Sequence, residues 1–250
     1  MLKNKEKILK DVEALMKMHK NGELGGEVMP EDANPGLEKT SKENYLYLTL
    51  PMALNYRRNS YKLWESALAT YKDSETSFVF IPKEVIKKSF DEVQEALIKH
   101  NVALFKVRQT EIWIKLCHTI EELFNGDIRI LFDQFDNDVV KIRQFMQKEA
   151  KRKFPYLSGT KICNYWLHVI YMYCNREYLN PEAINVAPDT HVVKATHHLE
   201  LITDQELASP NVQQIVIERW ETAFKDTKYK PIDIHTILWL WSRNGFKEIV

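Results

Sequence analysis

The feature that most constrains the fold is a helical spacing of apolar residues that recurs along the whole chain. Apolar side chains lie three and four positions apart in segment after segment, for example at Val139, Ile142, Phe145 and Met146. This spacing places them on one face of an α-helix, whereas a strand would need alternation. The chain also has only 7 glycines in 250 residues, which disfavours the many tight turns of a β-rich fold. The sequence therefore predicts an all-α protein.

Nine segments carry the helical pattern clearly enough to predict their limits. For the apolar segment 44–52 the pattern does not separate a strand from a buried helix, and the segment from Asn21 to about Thr40 is predicted as loop because it contains several glycines, prolines and asparagines. The predicted helices are 2–20, 52–71, 83–99, 110–123, 138–151, 162–173, 190–201, 211–224 and 232–243.

The cysteines exclude several kinds of site. There are three of them, Cys117, Cys163 and Cys174, and none belongs to a C-x-x-C pair. An odd, dispersed set fits neither a disulfide framework nor a cysteine-only zinc site, and a [4Fe–4S] cluster needs four thiolates. His191, His197 and His198 lie close together in sequence, but no carboxylate or cysteine completes a metal site at helical spacing. We therefore expect no metal and no cofactor.

Membrane insertion is not expected. Met1–Glu6 begins with charged residues and has no apolar segment behind it, and no run of the chain approaches the roughly 18 apolar residues that span a bilayer. An intracellular location follows as an expectation.

Charge is distributed unevenly although the formal net charge of the chain is zero. The segment from Lys141 to Lys161 contains seven basic residues and one acid, Glu149, so its net charge is +6. One interpretation is the solvated face of a helix. The other is a surface that contacts phosphates, whose affinity would fall as salt is added. Within this segment we consider Lys151, Arg152 and Lys153 candidates for DNA contact.

The basic segment leads into two motifs that resemble one family. Leu157–Cys163, with the sequence Leu-Ser-Gly-Thr-Lys-Ile-Cys, resembles the hairpin of the helix-hairpin-helix DNA glycosylases, a superfamily that includes endonuclease III and the 8-oxoguanine glycosylases. Val186–Val192, with the sequence Val-Ala-Pro-Asp-Thr-His-Val, is similar to its downstream V-D-T-H-V signature. The two motifs occur in the family's order, and the second is the more specific of the two.

The resemblance is to a divergent branch of that superfamily. Leu157 stands where the family's first hairpin glycine is expected, and 28 residues separate Lys161 from Asp189, more than in endonuclease III-like members. The cysteine count also excludes the iron–sulfur loop of those members. The archaeal 8-oxoguanine glycosylases offer a similar pattern without a cluster.

The resemblance implies an activity and a role for several residues. Lys161 would be the Schiff-base nucleophile and Asp189 the essential carboxylate, and the amides at Gly159 and Thr160 would anchor a DNA phosphate. The chain would remove a damaged base, an oxidised purine such as 8-oxoguanine, from double-stranded DNA and cleave the abasic site as an AP lyase. It would act as a monomer, in the nucleoid region of the cytoplasm or in the nucleus.

Simpler interpretations of the same residues stay open. Asp189 is also a good helix N-cap, and Lys161 alone would be an ordinary surface lysine. With Lys161 inactive, water would attack and the enzyme would be monofunctional. Two further alternatives are a hairpin protein that binds DNA without catalysis and a helical interaction scaffold in which the motif is accidental.

Further candidates rest on position alone. Asn55 occupies the place where the family keeps a polar wedge that fills the gap left by a flipped base, with Arg57 and Arg58 beside it, although a polar helix residue is an equal interpretation. Aromatic residues near the motifs are candidates for the base pocket, although tryptophans on helices commonly belong to the core. These aromatic candidates are Phe154, Trp166, Trp239 and Trp241.

The architecture that follows has two helical lobes with a DNA-binding cleft between them. The first lobe is a helical barrel from Asn44 to Pro188 that carries the hairpin. The second combines residues 1–43 with residues 189–250.

Overall fold

The computed structural model describes residues 5–25 and 29–249 and is predominantly helical. Across these residues the only β-type pairing is an isolated bridge between Asp138 and Leu179. The all-α prediction is confirmed. The chain divides into two compact units, a larger one from Val28 to Asn180 and a smaller one that combines Met1–Glu27 with Pro181–Val250. None of the helices in the described part of the chain is both long and apolar enough to span a bilayer.

The helices follow one another with short 3₁₀ turns and loops between them. The smaller unit begins with α1 (Lys5–Lys20), the larger unit contains α2 to α9, and the smaller unit resumes with α10. The helices of the larger unit are α2 (Lys42–Thr49), α3 (Ser60–Lys72), α4 (Pro82–Val85), α5 (Phe90–Lys99), α6 (Lys106–Phe124), α7 (Arg129–Gln134), α8 (Val139–Gln144) and α9 (Thr160–Tyr173). The remaining helices are α10 (Thr190–His198), α11 (Asp204–Leu207), α12 (Val212–Phe224) and α13 (His235–Arg243).

Aromatic side chains fill the core of the larger unit. Tyr47 of α2 packs against Trp64, Tyr71 and Phe80 with ring centroids 5.4 to 5.8 Å apart. Buried indole nitrogens have polar partners, as burial requires; the Nε1 of Trp113, for example, donates to the carbonyl oxygen of Val79 at 2.8 Å. This core holds α9, the helix that begins next to the hairpin.

The smaller unit has its own core, in which α10 and α13 pack against each other. The apolar stripe of α1, including Ile8, Val12 and Leu15, closes this core from the N-terminal side of the chain. Trp220 of α12 is fully buried, and its Nε1 donates to Oγ1 of Thr196 at 2.9 Å. Asp189, at the start of α10, is thereby fixed to a well-packed scaffold.

Several predicted helices are interrupted by capped breaks. The predicted helix 83–99 is two helices, because Ser89 and Glu92 form a capping box that starts α5 anew. The predicted helix 52–71 begins instead as a 3₁₀ turn at Pro51–Leu54, and α3 starts after Asn59, whose side chain accepts a hydrogen bond from the amide of Lys62. The ambiguous segment 44–52 lies mainly in α2, so it is helix and not strand.

Residues 29–43 group with the larger unit and not with the terminal helices. Glu31 is buried there and accepts hydrogen bonds from Trp64 Nε1 at 2.9 Å and from the hydroxyl of Tyr165 at 3.0 Å. The neighbouring Asp32 accepts one from the hydroxyl of Tyr173 at 2.8 Å. These contacts place the first boundary between the units near residue 27, where the sequence placed it at 43.

Candidate functional site

The turn before α9 is tight, and its left-handed backbone conformation falls on a tyrosine and not on a glycine. It runs from Phe154 to Gly159, and the amide of Ser158 donates to the carbonyl of Phe154 at 2.9 Å. Tyr156 has a positive φ of 59°, a backbone conformation that residues other than glycine rarely adopt. Gly159 has an ordinary φ of −65°. Glycine matters at this position because an added Cβ would lie 3.1 Å from the carbonyl oxygen of Tyr156.

Leu157, which replaces the expected first glycine, anchors the turn in the core. Its side chain is fully buried. On the other side of the turn, the hydroxyl of Thr119 in α6 donates to the carbonyl of Lys153 at 2.7 Å. The turn therefore keeps a fixed shape without a second glycine.

The first turn of α9 offers unpaired amides at the surface. Gly159 is the N-cap, Thr160 follows, both are exposed, and no side chain caps this end of the helix. The amide of Gly159 donates to the carbonyl of Tyr156 at 2.9 Å, which corrects its assignment as a phosphate donor, so the unpaired amides begin at Thr160. The first amides of a helix lack intrahelical partners and favour anions. The start of α9 has the donors that a phosphate would need.

Lys161 lies in this first turn and is half-buried. Among the hydrogen bonds and ion pairs of the described residues, none involves its ammonium group. An amine that no carboxylate holds can be directed at a substrate, whereas an ion-paired lysine would first have to leave its partner.

Asp189 caps α10 with one oxygen and leaves the other unused. Its Oδ1 accepts hydrogen bonds from the amides of His191 and Val192, each at 2.9 Å. The N-cap that the sequence allowed is therefore present. The structure gives Oδ2 no hydrogen-bond partner within residues 5–25 and 29–249. Capping and a chemical role thus use different oxygens of the same half-buried carboxylate.

An aromatic and polar group surrounds the start of α10 in the smaller unit. His191 Nδ1 lies 3.3 Å from Oγ of Ser242, and the ring of His191 meets that of Trp239 edge-on at 5.9 Å. The guanidinium carbon of Arg243 lies 4.9 Å from the centroid of the Trp239 ring. Sequence reasoning named Trp239 but missed Ser242 and Arg243; one turn of helix separates Arg243 from Trp239, and that spacing was the available signal.

Three of the four pocket candidates are core side chains. Phe154 and Trp166 are fully buried in the larger unit, and Trp241 is buried in the smaller one. Trp166 donates through Nε1 to Oγ1 of Thr49 at 3.0 Å, and Trp241 donates to the carbonyl of Lys247 at 2.7 Å. No ring face of these residues is available to a base, so we correct their assignment to core. Trp239 is half-buried.

The basic candidates next to the hairpin differ in whether they are ion-paired. Lys151 and Arg152 are exposed, and the described residues provide them with no ion pair. Lys153 is paired with Glu122 at 2.7 Å. Lys151 and Arg152 line an open cleft of about 550 Å³ together with Lys148, and Phe145 forms part of its wall. The unpaired cations therefore lie side by side.

The candidates in the 55–58 loop also differ in whether hydrogen bonds within the protein already hold them. Arg58 donates to the carbonyls of Val102 and Asn101 at 2.5 and 3.1 Å, and burial lowers the pKa of its guanidinium to about 10. This arginine therefore holds two loops together, which corrects its assignment as a DNA contact. Asn55 donates to Oγ of Ser60 at 3.0 Å, whereas Arg57 is exposed.

The histidines near Asp189 have partners other than a metal. His197 Nε2 lies 2.8 Å from Oδ1 of Asp204, and the ring of His198 stacks on that of Phe246 with centroids 4.3 Å apart. Within the described ranges, His, Cys, Asp and Glu side chains form no group of three that could hold a metal ion.

The two catalytic candidates belong to different units: Lys161 and the hairpin lie in the larger unit, and Asp189 lies in the smaller one. Comparison with models of known protein families found no match, and comparison with curated proteins found none either.

Proposed function

We propose that this protein is a base-excision DNA glycosylase with AP-lyase activity, acting on an oxidised purine of the 8-oxoguanine kind. The observation that carries the proposal is the ordered pair of helix starts. Gly159-Thr160-Lys161 begins α9 with uncapped amides and an amine free of ion pairs, and Asp189-Thr190-His191 begins α10 with a carboxylate oxygen that the cap leaves unused.

Base removal requires the target nucleotide to leave the duplex, because its glycosidic bond cannot be reached within the stack. As the bond between C1′ and the base nitrogen breaks, positive charge develops on the sugar. Asp189 stabilises that charge through its free oxygen. The cap hydrogen bonds hold the carboxylate in place, so no reorganisation is needed during the reaction.

Lys161 then forms the bond that replaces the base. Its amine attacks C1′ as the bond from C1′ to the base breaks, the attacking nitrogen loses a proton to Asp189, and the departing base takes that proton from Asp189. Opening of the sugar ring gives an imine between Nζ of Lys161 and C1′. The imine acidifies the neighbouring carbon, and β-elimination then breaks the strand on the 3′ side.

DNA binding is assigned to the surface around the hairpin. The amide of Thr160 binds one phosphate, and Lys151, Arg152 and Arg57 supply positive charge. The proposal requires double-stranded DNA to engage both lobes across a cleft. Lys161 and Asp189 of a single protein chain then act on the same nucleotide. It also implies a location with DNA, in the nucleoid or the nucleus.

Borohydride trapping on a duplex that contains 8-oxoguanine tests the proposal. We expect a covalent protein–DNA adduct with the native chain and none with Lys161→Gln. Lys72→Gln serves as the matched control because Lys72 is an exposed lysine at the end of α3 in the same unit. The control should form as much adduct as the native protein.

Other results of the same assays would identify one of the alternative functions. Base release that survives in Lys161→Gln would mean that water attacks and the enzyme is monofunctional. Duplex binding that weakens with salt but never releases a base would mean a non-catalytic DNA-binding protein. Absence of both binding and release would overturn the proposal.

A further inference from the structure

Two tyrosines and two arginines form a continuous row of ring–ring and cation–π contacts on the surface of the larger unit. The rings of Tyr56 and Tyr156 have their centroids 5.3 Å apart and are tilted by 50°. The guanidinium carbon of Arg57 lies 5.2 Å from the Tyr56 centroid, and that of Arg108 lies 5.3 Å from the Tyr156 centroid. We call Arg57, Tyr56, Tyr156 and Arg108 the arginine–tyrosine ladder.

Three segments distant in sequence are fixed around the ladder. Tyr56 and Arg57 lie in the 55–58 loop, which Arg58 ties to the backbone at Asn101 and Val102. Arg108 lies in the first turn of α6, and the amides just before that helix, at 104 and 105, both donate to the side-chain oxygen of Gln109. Tyr156 belongs to the hairpin turn. The ladder is therefore built on anchored backbone.

The ladder is accessible, and the segment that carries Arg108 also exposes apolar side chains. Tyr56 is 43% exposed, and the side chains of Leu104 and Phe105 are 50% and 57% exposed. Arg57 and Arg108 are also exposed. The ladder is thus a surface feature and not the edge of the core.

Charge sets this surface apart. The segments 55–58, 104–108 and 151–161 contain eight lysines and arginines and no aspartate or glutamate. Both Arg57 and Tyr156 have positive φ, 50° and 59°. Such conformations cost energy and persist where the surrounding structure enforces them.

We infer that the arginine–tyrosine ladder binds unstacked bases of single-stranded DNA. Bases stack on tyrosine rings regardless of sequence, arginine adds cation–π attraction, and the surrounding cations attract the phosphates. In a duplex the base faces are already stacked on one another, so a duplex can use only the cations. Lys153 is paired with Glu122 and Arg58 is held by backbone carbonyls, so a protein partner would need an acidic surface to match the remaining six positive charges.

The inference rests on the proposed function only for the choice of DNA over RNA. It extends that function because an enzyme that holds an unstacked strand beside its hairpin would favour a damaged base in single-stranded or locally opened DNA over one in an intact duplex.

Fluorescence anisotropy with labelled undamaged oligonucleotides tests the ladder. We expect the native chain to bind the single strand dT10 more tightly than a duplex of ten base pairs. Tyr56→Leu should weaken dT10 binding about tenfold, within the range measured when a stacking aromatic is removed, and should leave duplex binding unchanged. Tyr56→Phe keeps the ring and should bind dT10 as the native chain does.

A matched control is available on α9. Tyr171 is 44% exposed, almost the same as Tyr56, and lies outside the basic surface, so Tyr171→Leu should not change dT10 binding. Arg108→Gln provides a second variant of the ladder at an exposed position and should also weaken dT10 binding while circular dichroism stays native.

Three results would overturn the inference. The first is unchanged dT10 binding in both Tyr56→Leu and Arg108→Gln, and the second is an equal loss of dT10 and duplex binding in Tyr56→Leu. The third is a native chain that prefers rU10 to dT10. The measurement needs no base release. Failed borohydride trapping with intact, ring-dependent dT10 binding would therefore refute the glycosylase proposal alone.

Discussion

At the scale of single residues, Asp189 is informative because a structural and a chemical role can be separated on it. One of its oxygens receives two amides of α10, and the other is free of partners in the described structure. A carboxylate used only as a cap could be replaced by any good N-cap residue. A carboxylate that stabilises a developing cation needs its negative charge as well.

Substitution of Asp189 by asparagine separates the two roles. Asparagine caps helices about as well as aspartate but carries no charge. We expect Asp189→Asn to keep the free energy of unfolding within about 0.5 kcal/mol of the native value and to abolish base release. Asp189→Ala should lose both base release and about 1 kcal/mol of stability. Urea unfolding and a single-turnover base-release assay measure the two effects; full base release by Asp189→Asn would reduce the residue to a cap.

The hairpin shows what a sequence can and cannot reveal about individual residues. The position of the turn and of Gly159 followed from the Leu157–Cys163 motif. The left-handed conformation of Tyr156 did not, because no side-chain preference predicts a tyrosine there. The contact between Tyr56 and Tyr156 was equally hidden, since a hundred positions separate them and only tertiary folding brings them together.

At the scale of elements, apolar spacing predicted where helices exist, and caps decided where they end. Ser89 interrupts a continuous apolar stripe because its capping box with Glu92 satisfies the amides of a new helix start. The sequence contained that signal, but the stripe of Val85, Phe90, Val93 and Leu97 concealed it. Helices α7 and α11 escaped prediction because, at 6 and 4 residues, they are too short to show a period.

Helix α9 does more than present Lys161, because it also holds the segment that enters the larger unit. Tyr165 and Tyr173, two turns apart on this helix, donate to Glu31 and Asp32 respectively. Burial raises the pKa of the Glu31 carboxyl to about 7, and the nearby charge of Asp32 acts in the same direction, while the hydrogen bonds from Tyr165 and Trp64 partly oppose them.

The raised pKa predicts a specific pH dependence of stability. The folded protein binds the Glu31 proton more tightly than the unfolded chain does, so the stabilisation is fully present below the unfolded pKa of 4.5 and is lost as the pH rises to about 7. At 1.36 kcal/mol per pKa unit, the loss is about 3 kcal/mol. Glutamine in Glu31→Gln has the shape of glutamate but cannot ionise, so the free energy of unfolding of this variant should not fall over the same pH range.

Urea unfolding of both proteins between pH 4 and pH 8 measures this difference. The free energy of unfolding of the native chain should fall relative to that of Glu31→Gln over that range, and the variant should be the more stable at pH 8. Parallel curves for the two proteins would show that Glu31 ionises normally in the folded state. Glu92→Gln is a suitable control because Glu92 is an exposed carboxylate whose pKa is lowered, chiefly by its hydrogen bond from Lys88.

At the scale of the whole molecule, the sequence predicted helical content better than the grouping of helices. The chain gave no signal that residues 29–43 belong with the larger unit, because the deciding contacts of Glu31 and Asp32 are with residues far along the chain. Tryptophan identity was similarly ambiguous. Trp166 and Trp239 look alike in sequence, yet one is fully buried and the other half-buried, and only packing distinguishes a core residue from a pocket residue.

The glycosylase proposal makes a demand on the whole molecule, which is that Lys161 and Asp189 meet at one nucleotide. A double variant, Lys161→Cys with Asp189→Cys, treated with a short bis-maleimide should form an intramolecular cross-link, identified by mass spectrometry of the joined peptides. The native cysteines should not interfere, because all three are buried and burial raises the pKa of Cys163 and Cys174 to about 12, which suppresses the reactive thiolate. The single variants Lys161→Cys and Asp189→Cys are the controls and should give no cross-link, because each lacks one of the two exposed thiols. If the first pair also fails to cross-link, with and without duplex DNA, the two residues do not share a site, and a mechanism that uses both is excluded.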